Sequence, residues 1–282
     1  MSYEQEIESY YERSGWLYKL FWYNRESLSL HFGFWKEGTM SHEEAVINQY
    51  KEILRRGGIK PGMTVLDAGC GVGGGAIYIA KRTGAVVTGI SITRSQITEA
   101  NGYARQAGVA SRTQFIWADY MKTPFPAESF DVIYAIESVC HAYPKVKFLR
   151  EMRRILKRGG RLIIADGYLK RGVRDDREGR ILERFCRGWR LKELATTEEM
   201  GKAVVKANLT IKKTEEVTEW IRPNSKRMII LVILSTPVLL LARVFGSQWA
   251  HLVAENVGAI VAVLMGVRRG MGGYYIHELV KN

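Results

Sequence analysis

One stretch constrains this chain more than any other: Val65-Leu66-Asp67-Ala68-Gly69-Cys70-Gly71-Val72-Gly73-Gly74. An apolar run with strand character breaks into glycines at G-x-G-x-G spacing and resumes as a predicted helix over 76–81. Glycines allow the positive φ of a tight strand-to-helix turn and a close approach of backbone to ligand. Such a turn ends on a helix N-terminus, where free N–H groups favour an anion. A plain glycine-rich turn would carry the same letters, so the surrounding pattern has to decide. Strands are predicted over 64–68, 86–90, 114–117, 132–135 and 161–166, with helices between them, notably over 94–107 and 146–156. This alternation means a parallel sheet wound on both faces, with its ligand at the carboxyl ends of the strands. The glycine loop, Ser91, Thr93, Asp119 and Glu137 all fall at those ends.

Asp67 precedes the first glycine by two residues. A dinucleotide fingerprint holds a pyrophosphate and wants no carboxylate beside it, so an acid-led loop suits a ligand with a cationic end. The D-x-G-x-G-x-G pattern resembles motif I of the class I S-adenosylmethionine (SAM) methyltransferases. That resemblance implies SAM as cofactor, with Asp67, Gly69, Gly71 and Gly73 around its positively charged amino-acid end. Further strands over 210–220 and 274–280 complete an expected α/β fold: a doubly wound, mostly parallel, seven-stranded Rossmann-like sheet.

Asp119 lies just past the third strand, where a carboxylate can accept the amine of an adenine while Trp117 or Tyr120 packs on the ring; an Asx-turn is the plainer alternative. The second strand ends without the usual acidic residue for a ribose, which leaves Ser91, Thr93 and Gln96 to bond the hydroxyls. After the fourth strand come Glu137 and His141. On a helix, a spacing of four places both on one face, and such a pair can move a proton at neutral pH. A structural hydrogen bond remains the alternative.

The core segments Asp119-Tyr120-Met121-Lys122-Thr123-Pro124-Phe125-Pro126, Tyr134-Ala135-Ile136-Glu137 and Cys140-His141-Ala142 resemble the sterol C-24 methyltransferases, as does the glycine loop. The cyclopropane fatty-acid synthases share the loop and a tryptophan near the adenine, similar to Trp117, but fit less well after the fourth strand. The resemblance implies methyl transfer to an alkene carbon of a hydrophobic isoprenoid-type acceptor through a carbocation. Glu137, His141 and Tyr23 would be catalytic, and His31, Phe32 and Phe34 would line the substrate. The chain departs from the sterol family over 23–28, which points to a different isoprenoid or a prenylated natural product. An N- or O-methyltransferase of a small amphiphile is the alternative.

The remainder frames that reading. Residues 9–35 are dense in aromatics and read as helical, either covering a sheet face or forming a lid. A helix over 41–56 starts with a Ser41 cap and Glu44 at capping-box spacing. The expected organisation is a lid over 1–60, a SAM-binding core over 61–220, an apolar helical insertion over 221–272 and a last strand over 273–282. Residues 228–242 carry no charge but include Pro237; too short to span a bilayer, this stretch and 257–267 read as buried cap helices or as a surface dipping into lipid. Forty-two basic against 29 acidic residues give a net charge of +13. That suits nucleic acid or an anionic membrane, but the basic residues are scattered, so no nucleic-acid partner is expected. A hydrophobic small molecule is the expected partner, and the pattern leaves room for peripheral membrane contact and a homo-oligomer. The three cysteines lack metal-ligand or disulfide spacing, and the acidic start is no secretory signal; no metal and a cytoplasmic setting are expected.

Overall fold

The structure is a computed structural model that describes residues 2–21, 27–29, 31–244 and 248–282, with side chains treated outside 16–21, 231, 235 and 238–252. Its centre is a seven-stranded sheet built from β1 (Thr64–Ala68), β2 (Val86–Ser91), β3 (Thr113–Trp117), β4 (Phe130–Ile136), β5 (Leu156–Leu169), β6 (Thr210–Glu216) and β7 (Gly272–Val280). The order is β3-β2-β1-β4-β5-β7-β6. The first five strands pair in parallel, and β7 runs antiparallel to both β5 and β6. Helices on both faces explain why the central strands read as continuous apolar runs: Val65, Leu66 and Ile133 are fully buried.

On one face lie α2 (His42–Gly57), α3 (Gly74–Thr83) and α4 (Arg94–Gln106); on the other lie α5 (Lys145–Ile155) and α7 (Thr197–Lys206). Their apolar stripes do the packing. Phe148, Leu149, Met152 and Ile155 of α5 are buried at helical spacing, as are Val46, Tyr50 and Ile53 of α2. Ser41 caps α2 by accepting from the Glu44 amide at 3.1 Å, while Glu44 reaches back to the Met40 amide instead of closing a capping box. A full capping box occurs at α7, between Thr196 and Glu199.

Over the carboxyl ends of the strands sit α1 (Tyr3–Phe21), α6 (Asp176–Gly188), α9 (Asn224–Val244) and α10 (Gln248–Arg268). Tyr10, Met228 and Ile260 join α1, α9 and α10 in one cluster; Leu169, Ile181, Ala262 and Met271 join β5, α6 and α10 in another. The sequence pattern did not predict α6. Its apolar positions 181, 182 and 185 are outnumbered by charges, and only the Asp175 cap marks its start. The expected strand over 210–220 is shorter, because β6 stops at Glu216 and a single turn, α8 (Thr218–Ile221), follows.

Candidate active site

The glycine loop folds as its letters require. The Gly69 and Cys70 amides donate to Ile90 O at 3.0 and 2.9 Å, so the turn is anchored on the next strand. Gly69 has φ +93°, and a Cβ there would lie 2.4 Å from the Ser138 side chain. Both conditions demand glycine. The Asp67 carboxyl is buried beneath the start of α3, where Tyr134 OH donates to it at 2.7 Å. Burial drives its pKa up to about 7, against that hydrogen bond.

Asp67 opens onto a cavity of about 320 Å³ at the carboxyl ends of the strands. Gly69, Gly71, Ser91, Thr93, Gln96, Asp119, Tyr120, Glu137, His141, His31 and Phe32 also line it, so most of the expected site residues share one space. Ser91 Oγ donates to Gln96 Oε1 at 2.8 Å and accepts from the Thr93 amide at 3.1 Å. The Thr93 hydroxyl is buried with no hydrogen-bond partner, a group waiting for a ligand. Asp119 Oδ1 accepts from the Met121 amide at 2.7 Å, the Asx-turn alternative, while still facing the cavity. An acid under a helix start, an unsatisfied hydroxyl and a glycine-walled turn fit a polar ligand with a cationic end, as SAM has. A cation near Asp67 favours its ionised form, so SAM affinity is expected to rise with pH by at most about tenfold per unit up to about 7 and then level off. Calorimetry at pH 6 in buffers of different ionisation enthalpy should detect proton release on binding; proton uptake would contradict this arrangement.

Three expected residues lie elsewhere. Trp117 ends the edge strand β3, is 48% exposed, donates its indole N–H to Ile92 O at 2.8 Å and stacks under Arg94 at 3.8 Å. It does not line the cavity. Phe34 is wholly buried in the core against Trp220 and Tyr274, its amide held by Ala45 O. Gly73 backs onto Phe115, whose ring would be 2.8 Å from a Cβ there, so it supports the loop from behind. Tyr23 lies outside the described residues.

Glu137 and His141 both face the cavity, but no α-helix joins them. Glu137 has φ +46°, its amide donates to Ala165 O, and a single 3₁₀ turn spans Val139–His141. Glu137 Oε1 accepts from the Phe32 amide at 3.1 Å and from Tyr274 OH at 3.0 Å. Burial first and the nearby Asp166 second push its pKa well up. Asp166, at about 6, is itself raised by burial despite accepting from the Gly167 and Cys140 amides. His141 Nε2 meets Tyr11 OH at 3.1 Å, and burial lowers its pKa to about 4, which keeps the imidazole neutral at pH 7. Tyr11 thereby ties α1 to the site, and Ile7, Tyr168, Trp189, Val263 and Tyr274 help to wall a largely apolar chamber. Sequence reasoning passed over Tyr11, Tyr274 and Trp189 as site residues. Each is an aromatic among many, and only the fold brings it to the cavity.

The methyltransferase-domain family profile matches residues 66–164. The chain is 33% identical over 225 residues to the methyltransferase GfsG of Streptomyces halstedii, covering 79% of each protein. It is 33% identical to the 27-O-demethylrifamycin SV methyltransferase of Amycolatopsis mediterranei, covering 70% of this chain and 72% of that one. It is also 42% identical to the sterol 24-C-methyltransferase ERG6B of Gibberella zeae over 159 residues, which is 56% of this chain and 40% of that enzyme. In fold it is similar to the geranyl diphosphate C-methyltransferase of Streptomyces coelicolor A3(2), with a TM-score of 0.77 at 17% identity, covering 100% and 98% of the two chains. With the acid-led glycine loop at the head of a seven-stranded sheet, these likenesses make the chain a member of the SAM-dependent methyltransferase family.

Proposed function

We propose that this enzyme methylates an alkene carbon of a hydrophobic, isoprenoid-type acceptor. The observation that carries the reading is a half-buried carboxyl, Glu137, aimed into an aromatic-walled chamber and supported by Tyr274 OH and the Phe32 amide. Bound SAM supplies an electrophilic methyl group on a positively charged sulfur. The apolar chamber would shield the acceptor's double bond from water and hold it against the bound cofactor, and such positioning contributes up to ~10 kcal/mol. Transfer of that methyl to the π-bond, with its bond to sulfur breaking and the neutral thioether leaving, would put a cation on the acceptor. Glu137 faces it with negative potential once a cation in the chamber favours its ionised form, and the faces of Phe32, Tyr11 and Trp189 add roughly 1–2 kcal/mol each. Neutral His141, held by Tyr11, takes the final proton through its ring nitrogen. Likeness to sterol 24-C- and geranyl diphosphate C-methyltransferases supports the choice of acceptor class.

A second reading has its own support. Neutral His141 is equally a base for a hydroxyl, and the 27-O-demethylrifamycin SV methyltransferase matches over 72% of its length. Incubation with methyl-labelled SAM and a panel of prenyl diphosphates, sterols, prenylated phenols and hydroxylated macrocycles separates the two. A new carbon-bound methyl in the product supports alkene transfer. Label found only as O-methyl on hydroxylated acceptors would replace that reading with the second.

A further inference from the structure

The one large apolar surface among the described residues that the active site leaves unexplained lies on α9. Ile229, Ile230, Ile233 and Leu234 are 42, 55, 63 and 61% exposed, and Pro237 is exposed beyond them. At 100° per residue these five fall within one arc of the helix. Met228 is 1% exposed on the opposite side and packs with Tyr10 of α1 and Ile260 of α10, while Val232 is partly buried against the same cluster. A helix apolar all round needs cover on every face, and the described protein covers only one. The outward arc carries no charge from residue 228 to residue 237. Lys226 is exposed at its N-terminal edge, on the same face, and Arg268 is exposed at the end of the partnering helix α10.

We infer that the outward face of α9 docks on an anionic lipid surface, with Ile229, Ile230, Ile233 and Leu234 dipping below the headgroups and Lys226 and Arg268 among the phosphates. The charge pattern selects this occupant over a second copy of the chain. The exposed cations that fringe the apolar arc, Lys226 and Arg268, on a chain of net charge +13, are complementary to an anionic bilayer and not to a second copy of the same basic surface. The helix lies along the surface and does not cross it. Among the described residues, no helix is long and apolar enough to span a membrane. The same hairpin contributes Ala262, Val263 and Gly266 of α10 to the cavity wall, so docking sets the site directly behind the lipid-facing helix.

The test is co-sedimentation of the full chain with phosphatidylcholine vesicles, with and without phosphatidylglycerol, alongside SAM affinity by calorimetry as a check on the fold. Wild-type protein should partition onto the anionic vesicles and be released by high salt. Ile233→Glu with Leu234→Glu should cut partitioning by about tenfold or more with SAM affinity unchanged. Lys226→Glu with Arg268→Glu should abolish the preference for anionic lipid but leave SAM affinity alone. Failure of the wild type to bind anionic vesicles overturns the inference. So does a stable dimer that the Ile233→Glu, Leu234→Glu variant dissolves without any vesicle binding, because the face then belongs to a second copy.

Discussion

Replacing Asp67 with asparagine is expected to weaken SAM binding by about a hundredfold and, in the ligand-free protein, to raise stability at pH 8. The first effect follows from removing the buried charge that faces a cation. Losing one partner of such a pair costs about 2–5 kcal/mol, and a hundredfold corresponds to about 2.7 kcal/mol. The second follows from the pKa. Burial holds the Asp67 carboxyl at about 7, whereas in the unfolded chain it titrates near ~3.9. An acid whose pKa is raised by folding stabilises the fold below the unfolded value and loses that contribution as pH rises through the folded one. The three-unit gap corresponds to at most about 4 kcal/mol of instability above pH 7. Asparagine never ionises, yet its side-chain oxygen can still accept from Tyr134 OH. Denaturant unfolding from pH 5 to pH 8 should therefore show the variant's advantage growing up to about pH 7 and then holding level. A gain independent of pH would place its origin elsewhere. Unchanged SAM affinity would mean that Asp67 does not face the cation.

The loop that carries Asp67 was readable because every requirement on it is local: an apolar strand, φ values open only to glycine, and an acid two residues upstream. The residues around Glu137 were not. Their spacing invites a helix, but Glu137 takes φ +46° so that its amide can reach Ala165 O on β5. Its partner Tyr274 lies 137 residues away and arrives only because β7 inserts between β5 and β6. Trp117 and Phe34 lie off the cavity for opposite reasons. The first sits at the exposed end of an edge strand; the second lies in the core under Tyr274, one step behind the cavity wall. The apolar run in α9 could be assigned to neither the interior nor the surface from its letters, since its sequence is the same in both settings. The burial of Met228 and the partial burial of Val232 fix which face turns inward.

Glu137→Gln should lower kcat by about 100- to 1,000-fold while leaving the SAM dissociation constant within about threefold. The substitution keeps size and shape, and the amide oxygen can still accept from the Phe32 amide and from Tyr274 OH, the two donors that place the group. What disappears is the capacity to become negative when a cation forms in the chamber. Electrostatic groups aimed at developing charge are worth about 3–4 kcal/mol each, which sets the size of the loss. Tyr274→Phe serves as the companion variant. Its hydroxyl favours the ionised carboxyl, so removing it should raise the Glu137 pKa further, shift the acid limb of the pH–kcat profile to higher pH and cost about tenfold in kcat at neutral pH. A merely structural role for Tyr274 would lower kcat without moving that limb. Equal losses of SAM affinity and turnover in Glu137→Gln would instead place Glu137 in cofactor binding and remove the carboxylate from the chemical step.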